Sequence, residues 1–228
     1  MEIFYLHGLA SSPGSGKARF LGERLREHGW DLRCPDLNLP DFSTLTTTRM
    51  LDQVERAIDA RPPGPVALIG SSLGGFVALH AAARRASRLD DRHPITHLVL
   101  FAPALDFGWT RDPLAVPANI QAWRDTDRWE PFHHAYGRHV PVHFQLWEDA
   151  GQYDSLAVRV EVPTLIFHGT RDTVVAMRSV ERFAEGRPNV TVRRLDDDHQ
   201  LQGHLDEAWE EIRRFLPIGT GGVSTSSR

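Results

Sequence analysis

Residues 66–75 read Val-Ala-Leu-Ile-Gly-Ser-Ser-Leu-Gly-Gly, an apolar run that passes without a spacer into the pattern G-x-S-x-G at 70–74. The four apolar residues suit a buried strand, and the alanine-rich stretch continuing to about Arg85 suits a helix. A serine between two glycines at a strand-to-helix junction is the pattern of a nucleophile elbow, where Ser72 would lift its hydroxyl above the end of a sheet. Side chains at 70 or 74 would collide with the neighbouring strand and helix, which is why glycine is needed there. The competing reading of Ser72 is a plain helix cap.

The same alternation continues on both sides. Residues 1–6 form an apolar run broken at Gly8, and Ala18, Leu21 and Leu25 mark one face of a helix over 15–28 that stops at Gly29. A strand near 31–34 is followed by a helix over 43–60, with Leu51, Val54 and Ile58 on one face. After the elbow come strands at 96–101, 162–167 and 190–195, a helix at 174–184, and a final helix with Leu201, Leu205, Ala208, Trp209, Ile212 and Phe215 on one face. Strands alternating with helices predict an α/β fold, a mostly parallel sheet of about six strands with helices on both faces. Sites in such sheets lie beyond the carboxyl ends of the strands.

Composition narrows the function. The chain has 228 residues, 26 Lys+Arg against 30 Asp+Glu, and 41% hydrophobic residues, enough for a real core. No basic cluster marks a nucleic-acid or anionic membrane partner, and no apolar stretch is long enough to span a bilayer. Cys34 is the single cysteine, so no internal disulfide is possible. The N-terminus does not read as a signal peptide, and the cytoplasm is the expected location.

A serine hydroxyl needs a base, and the base an orienting acid. In this architecture they follow in the order Ser, Asp or Glu, His, each on a loop after a later strand. Asp172, in FHGTRDTVV, and His199, in DDDHQL, meet both requirements. His204 falls within the last helical pattern, and Asp196, Asp197 and Asp198 read as a solvated loop at a helix start. The backbone N–H groups of Leu73, after the serine, and Leu9, after the first strand, are the expected oxyanion donors. His7 reads as structural.

These residues resemble the α/β-hydrolase superfamily over residues 1–104 and 158–216. More narrowly, YLHGLASSPGSGKA (5–18) and GSSLGG (70–75) resemble the small bacterial YqiA-type esterases, whose first strand enters an HG-x-x-SSP-x-S-x-K-A loop. The resemblance implies a carboxylic-ester hydrolase with Ser72, Asp172 and His199 as its triad, a small-molecule ester as substrate, and no cofactor. A thioesterase or C–C bond hydrolase would use the same triad, and a ligand-binding protein could keep the same scaffold.

Residues 105–157 interrupt the alternation and sit where relatives carry a cap. They hold nine of the chain's 20 aromatics, and Trp123, Trp129, Phe132 and Trp147 are candidates to line a substrate pocket. His139 and His143 have the spacing of a helical metal pair, but Pro141 between them and the lack of a nearby carboxylate argue against a metal. Lys17 follows Gly16 but precedes Ala18, so the phosphate-loop pattern is not met. The Gly/Ser/Thr-rich residues 217–228 are expected to be a disordered tail.

Overall fold

A computed structural model describes residues 1–88, 91–108 and 120–218. In chain order the elements are β1 (Glu2–Leu6), α1 (Gly16–Glu27), β2 (Leu32–Arg33), a 3-10 turn (Phe42–Thr44), α2 (Thr47–Asp59), β3 (Val66–Ser71), α3 (Leu73–Ala86) and β4 (Ile95–Phe101). There follow α4 (Ile120–Thr126), a two-strand ribbon of β5 (Phe132–His133) and β6 (Arg138–His139), and α5 (Gln145–Ala150). The chain then re-enters the sheet with β7 (Thr164–Gly169), α6 (Met177–Ala184), β8 (Val190–Leu195), a 3-10 turn (Gln202–His204) and α7 (Leu205–Phe215).

Six strands form one sheet in the order β2-β1-β3-β4-β7-β8, and every pairing is parallel. The strand order reverses between β1 and β3, which opens a crevice at their carboxyl ends. Both faces of the sheet are covered, as a parallel sheet requires. Phe4, Leu68, Leu98 and Ile166 pack with α2, α3 and α6 on one side, while Ile3, Tyr5, Ile69, Val99 and Leu165 pack with α1 and α7 on the other.

Residues between β4 and β7 share the first of these cores. Trp123, Val142, Phe144, Leu146 and Ala150 are buried in the same cluster as Phe76 and Val77 of α3. Polar contacts fasten the segment to the helices beneath: Thr48 donates from N and Oγ1 to Asp149 at 2.7 and 2.8 Å, and Arg84 Nη2 donates to the Tyr153 hydroxyl at 2.8 Å. His80 Nε2 lies 3.0 Å from Ser155 Oγ, both groups being buried. Trp109, Pro113 and Pro117 lie outside the described residues.

Several element boundaries differ from the pattern-based ones, each for a local reason. The helix expected over 43–60 begins at Thr47, because Thr46 caps it through the Arg49 amide and a 3-10 turn capped by Asp41 precedes it. The strand expected from Val162 begins at Thr164, after Pro163, which has no N–H to pair. The helix expected from Val174 begins at Met177, because Asp172 takes the amides of Val174 and Val175. Leu201 precedes the last helix in a left-handed conformation, φ 53°, instead of opening it. Ile218 was expected in a disordered tail, yet it is 2% exposed and packs in the α1/α7 core, as an isolated apolar residue at a helix end can. Residues 219–228 lie outside the described residues.

A β-carbon on Gly74 would meet the carbonyl oxygens of Leu6 and His7, and one on Gly70 would meet the backbone of Gly74 and Gly75. Backbone cannot give way as a flexible side chain can. Gly74→Ala is therefore expected to cost about 3 kcal/mol or more in urea unfolding, at the upper end of overpacking effects. A loss below about 0.5 kcal/mol would contradict this contact.

Candidate active site

The crevice collects three side chains far apart in the chain. Ser72 sits between β3 and α3 at φ 53° and ψ −120°, a conformation that is costly for any residue with a β-carbon. Its backbone is pinned: Ser72 N donates to Phe101 O at 2.8 Å, while its carbonyl accepts from Gly75 N at 2.9 Å and Ala104 N at 3.1 Å. The side chain makes no cap bond to the helix. It faces His199, whose Nε2 lies 3.1 Å from Ser72 Oγ.

His199 Nδ1 lies 2.7 Å from Asp172 Oδ2. A carboxylate only accepts, so the proton belongs on Nδ1 and Nε2 presents a lone pair to the serine hydroxyl. Asp172 is held in turn. Its other oxygen accepts from the amides of Val174 and Val175 at 2.8 and 2.9 Å, and its side chain is fully buried. Burial pushes the carboxyl's pKa up, but the His199 hydrogen bond and the two amides outweigh that and leave it below the ordinary value.

The other candidates lie elsewhere. His7 spends both ring nitrogens on backbone, Nδ1 donating to Gly8 O at 2.9 Å and Nε2 accepting from Leu37 N at 3.0 Å. His204 stands at the N-terminus of α7 rather than within it, with Nδ1 2.9 Å from Asp197 Oδ2. Asp197 also accepts from Gly203 N, and Asp198 accepts from Gln200 N, so both acids shape the loop. His139 and His143 have separate partners, the Glu130 carbonyl and Asp127. Among the described residues no group of three His, Cys, Asp or Glu could hold a metal ion.

Above Ser72 opens a cavity of about 1130 Å³ whose walls include Leu9, Leu73, Asp172 and His199 together with Trp123, Trp129, Phe132 and Trp147. Trp123 is also a core residue: it is 4% exposed, its Nε1 donates to Val142 O at 2.9 Å, and its ring lies 5.1 Å from that of Trp129. Trp147 packs 5.2 Å from Phe107, whereas Phe132 is 45% exposed at the rim. The ribbon touches the loop after β1 directly, since His134 N donates to Ala10 O at 2.9 Å.

Two neighbours had no sequence signal of their own. His168, fully buried near the end of β7, donates from Nε2 to Val175 O at 3.0 Å and so ties down the turn that grips Asp172. Burial lowers its pKa and keeps the ring neutral. Asp106 lines the cavity after β4, where burial pushes its carboxyl pKa up. Their chain neighbours FHGTRD and FAPALD could have suggested only that both follow strands.

A model of the uncharacterised protein family UPF0227 matches residues 2–216. The chain belongs to that family. No curated protein matches it. Among solved structures, this UPF0227 chain is similar to alpha/beta hydrolase domain-containing protein 10 from mouse, with TM-score 0.75 and 22% identity over 93% of this chain and 88% of that one. It is also similar to a monoacylglycerol lipase from Paleococcus ferrophilus, with TM-score 0.74 and 17% identity over 96% and 94%. Est1E from Butyrivibrio proteoclasticus gives TM-score 0.68 and 20% identity over 93% and 85%. The fold is thus the α/β-hydrolase fold. No helix among the described residues is long and apolar enough to cross a membrane.

The lowered pKa of Asp172 has a consequence for stability. Folding favours its charged form, so that contribution is complete above the ordinary value of 3.8 and is lost as pH falls through the lowered one. Asp172→Ala should be less stable by about 1–3 kcal/mol at neutral pH, with the gap closing as pH drops below that value. Urea unfolding at several pH values checks this, and a gap that widens in acid would contradict it.

Proposed function

We propose that the chain is a serine hydrolase that cleaves carboxylic esters through an acyl-enzyme, with Ser72, His199 and Asp172 as its triad. The observation that carries this reading is the continuous hydrogen-bonded line from Asp172 Oδ2 through His199 to Ser72 Oγ, ending on a strained serine. His199 Nε2 takes the hydroxyl proton as Oγ attacks the ester carbonyl carbon. Asp172 holds the ring and stabilises the imidazolium that forms.

The Leu9 and Leu73 amides are assigned to the developing oxyanion, where each such donor contributes about 3 kcal/mol to catalysis. His199 returns its proton to the leaving alkoxide, which departs as the alcohol and leaves an acyl group on Ser72. Water then attacks that acyl carbon, giving its proton to His199, and the carboxylic acid leaves as Oγ is reprotonated. The step is complete without a cofactor. The esterase-like and lipase-like neighbours support ester cleavage on this scaffold, and the indole walls suit an acyl chain or an aromatic group. Residues 105–157 serve in this reading as the cap of the pocket.

Ser72→Ala should lower kcat for p-nitrophenyl butyrate by at least about 10⁴-fold with little change in circular dichroism. Near-normal turnover by a pure variant would sink the assignment. Trp147→Ala should raise KM for butyrate about tenfold while affecting acetate less, because a shorter acyl group loses less apolar contact. Equal effects on the two esters would place the acyl group elsewhere.

A further inference from the structure

The first turn of α1 places an ammonium where an apolar side chain would cost less to bury. Lys17 belongs to the S-x-K-A end of the loop after β1, is 5% exposed, and forms part of the cavity wall. Its Nζ donates to the main-chain carbonyl of Gln200, the residue directly after His199. The charged groups facing it come from two loops: Asp197 and Asp198 after β8, and Asp172 after β7. Burial pulls its pKa down to about 8, against the upward pull of those three carboxylates, so the ammonium is largely kept at neutral pH.

The loop that Lys17 touches needs holding. Leu201 adopts φ 53° and ψ 29°, a left-handed backbone that a leucine seldom takes. Such a conformation persists only where its surroundings over-determine it. Leu201 is anchored by its fully buried side chain, and the Gln200 peptide by bonds on both sides: its N–H donates to Asp198 Oδ1 at 2.8 Å and its carbonyl accepts from Lys17.

We infer that Lys17 is a positioning residue for the general base: its ammonium clamps the Gln200 carbonyl so that His199 keeps Nε2 on Ser72. This rests on the serine-hydrolase reading above. A lysine that served the fold alone would leave the kcat of a folded variant unchanged.

The test compares wild type, Lys17→Met and Lys17→Arg at about pH 7. The readouts are kcat and KM for p-nitrophenyl butyrate and the rate of inactivation by a fluorophosphonate, with circular dichroism to confirm folding. In Lys17→Met kcat and the inactivation rate should each fall about tenfold, with KM within about twofold. Lys17→Arg, which keeps a charged donor, should recover most of the lost kcat.

A folded Lys17→Met with the wild type's kcat and inactivation rate overturns the proposal. Should Lys17→Met fail to fold, Lys17→Ala is measured in its place, and a folded Lys17→Ala with the wild type's kcat overturns it. A folded wild type with neither turnover nor inactivation overturns the serine-hydrolase reading as well, whereas an active wild type beside an equally active Lys17→Met removes only the role of Lys17.

Discussion

The close passage of the β3–α3 turn under the end of β1 is the constraint on which the rest depends. Gly74 rests against the carbonyls of Leu6 and His7, and Gly70 against the start of α3, so the chain can turn only through a strained Ser72. That strain costs on the order of 1–3 kcal/mol, and packing on both sheet faces must offset it. The return is geometric. Ser72 Oγ stands clear of the helix that it opens, with the ends of β1, β4 and β7 around it.

Support for the site extends outward in rings of ordinary structural contacts. His168 bonds the Val175 carbonyl, Val174 and Val175 bond Asp172, and Asp172 bonds His199. His7 does similar work at the other strand end, using both nitrogens to join the β1 loop to Leu37. These histidines are buried and committed to backbone groups, which restrains Ser72, Asp172 and His199 to a narrow range of positions. The segment over the cavity is equally committed, because its aromatics share a core with α3 and its acids and hydroxyls bond α2 and α3.

Much of this was legible in sequence because the decisive signals are local. Apolar runs marked the strands, periodicity marked the helices, and G-x-S-x-G at 70–74 marked the turn, so Ser72, Asp172 and His199 could be placed at strand ends without coordinates. What was not legible depends on contacts between distant residues. Nothing near Lys17 announces that it reaches Gln200, nothing near Trp123 announces that it packs in one core with α3, and His168 reads simply as a residue following a strand. The start of α6 was misplaced for the same reason: Val174 and Val175 fit the helical pattern, but their amides had already been claimed by Asp172.

The central claim is that Ser72 is an activated nucleophile. Incubation of the folded protein with a fluorophosphonate, followed by intact mass and peptide mapping, tests it most directly. One adduct per chain, carried by Ser72 and lost when His199 is replaced by alanine, is the predicted result. A folded protein that takes up no probe, or takes it up at another residue with Ser72 unmodified, would contradict the account.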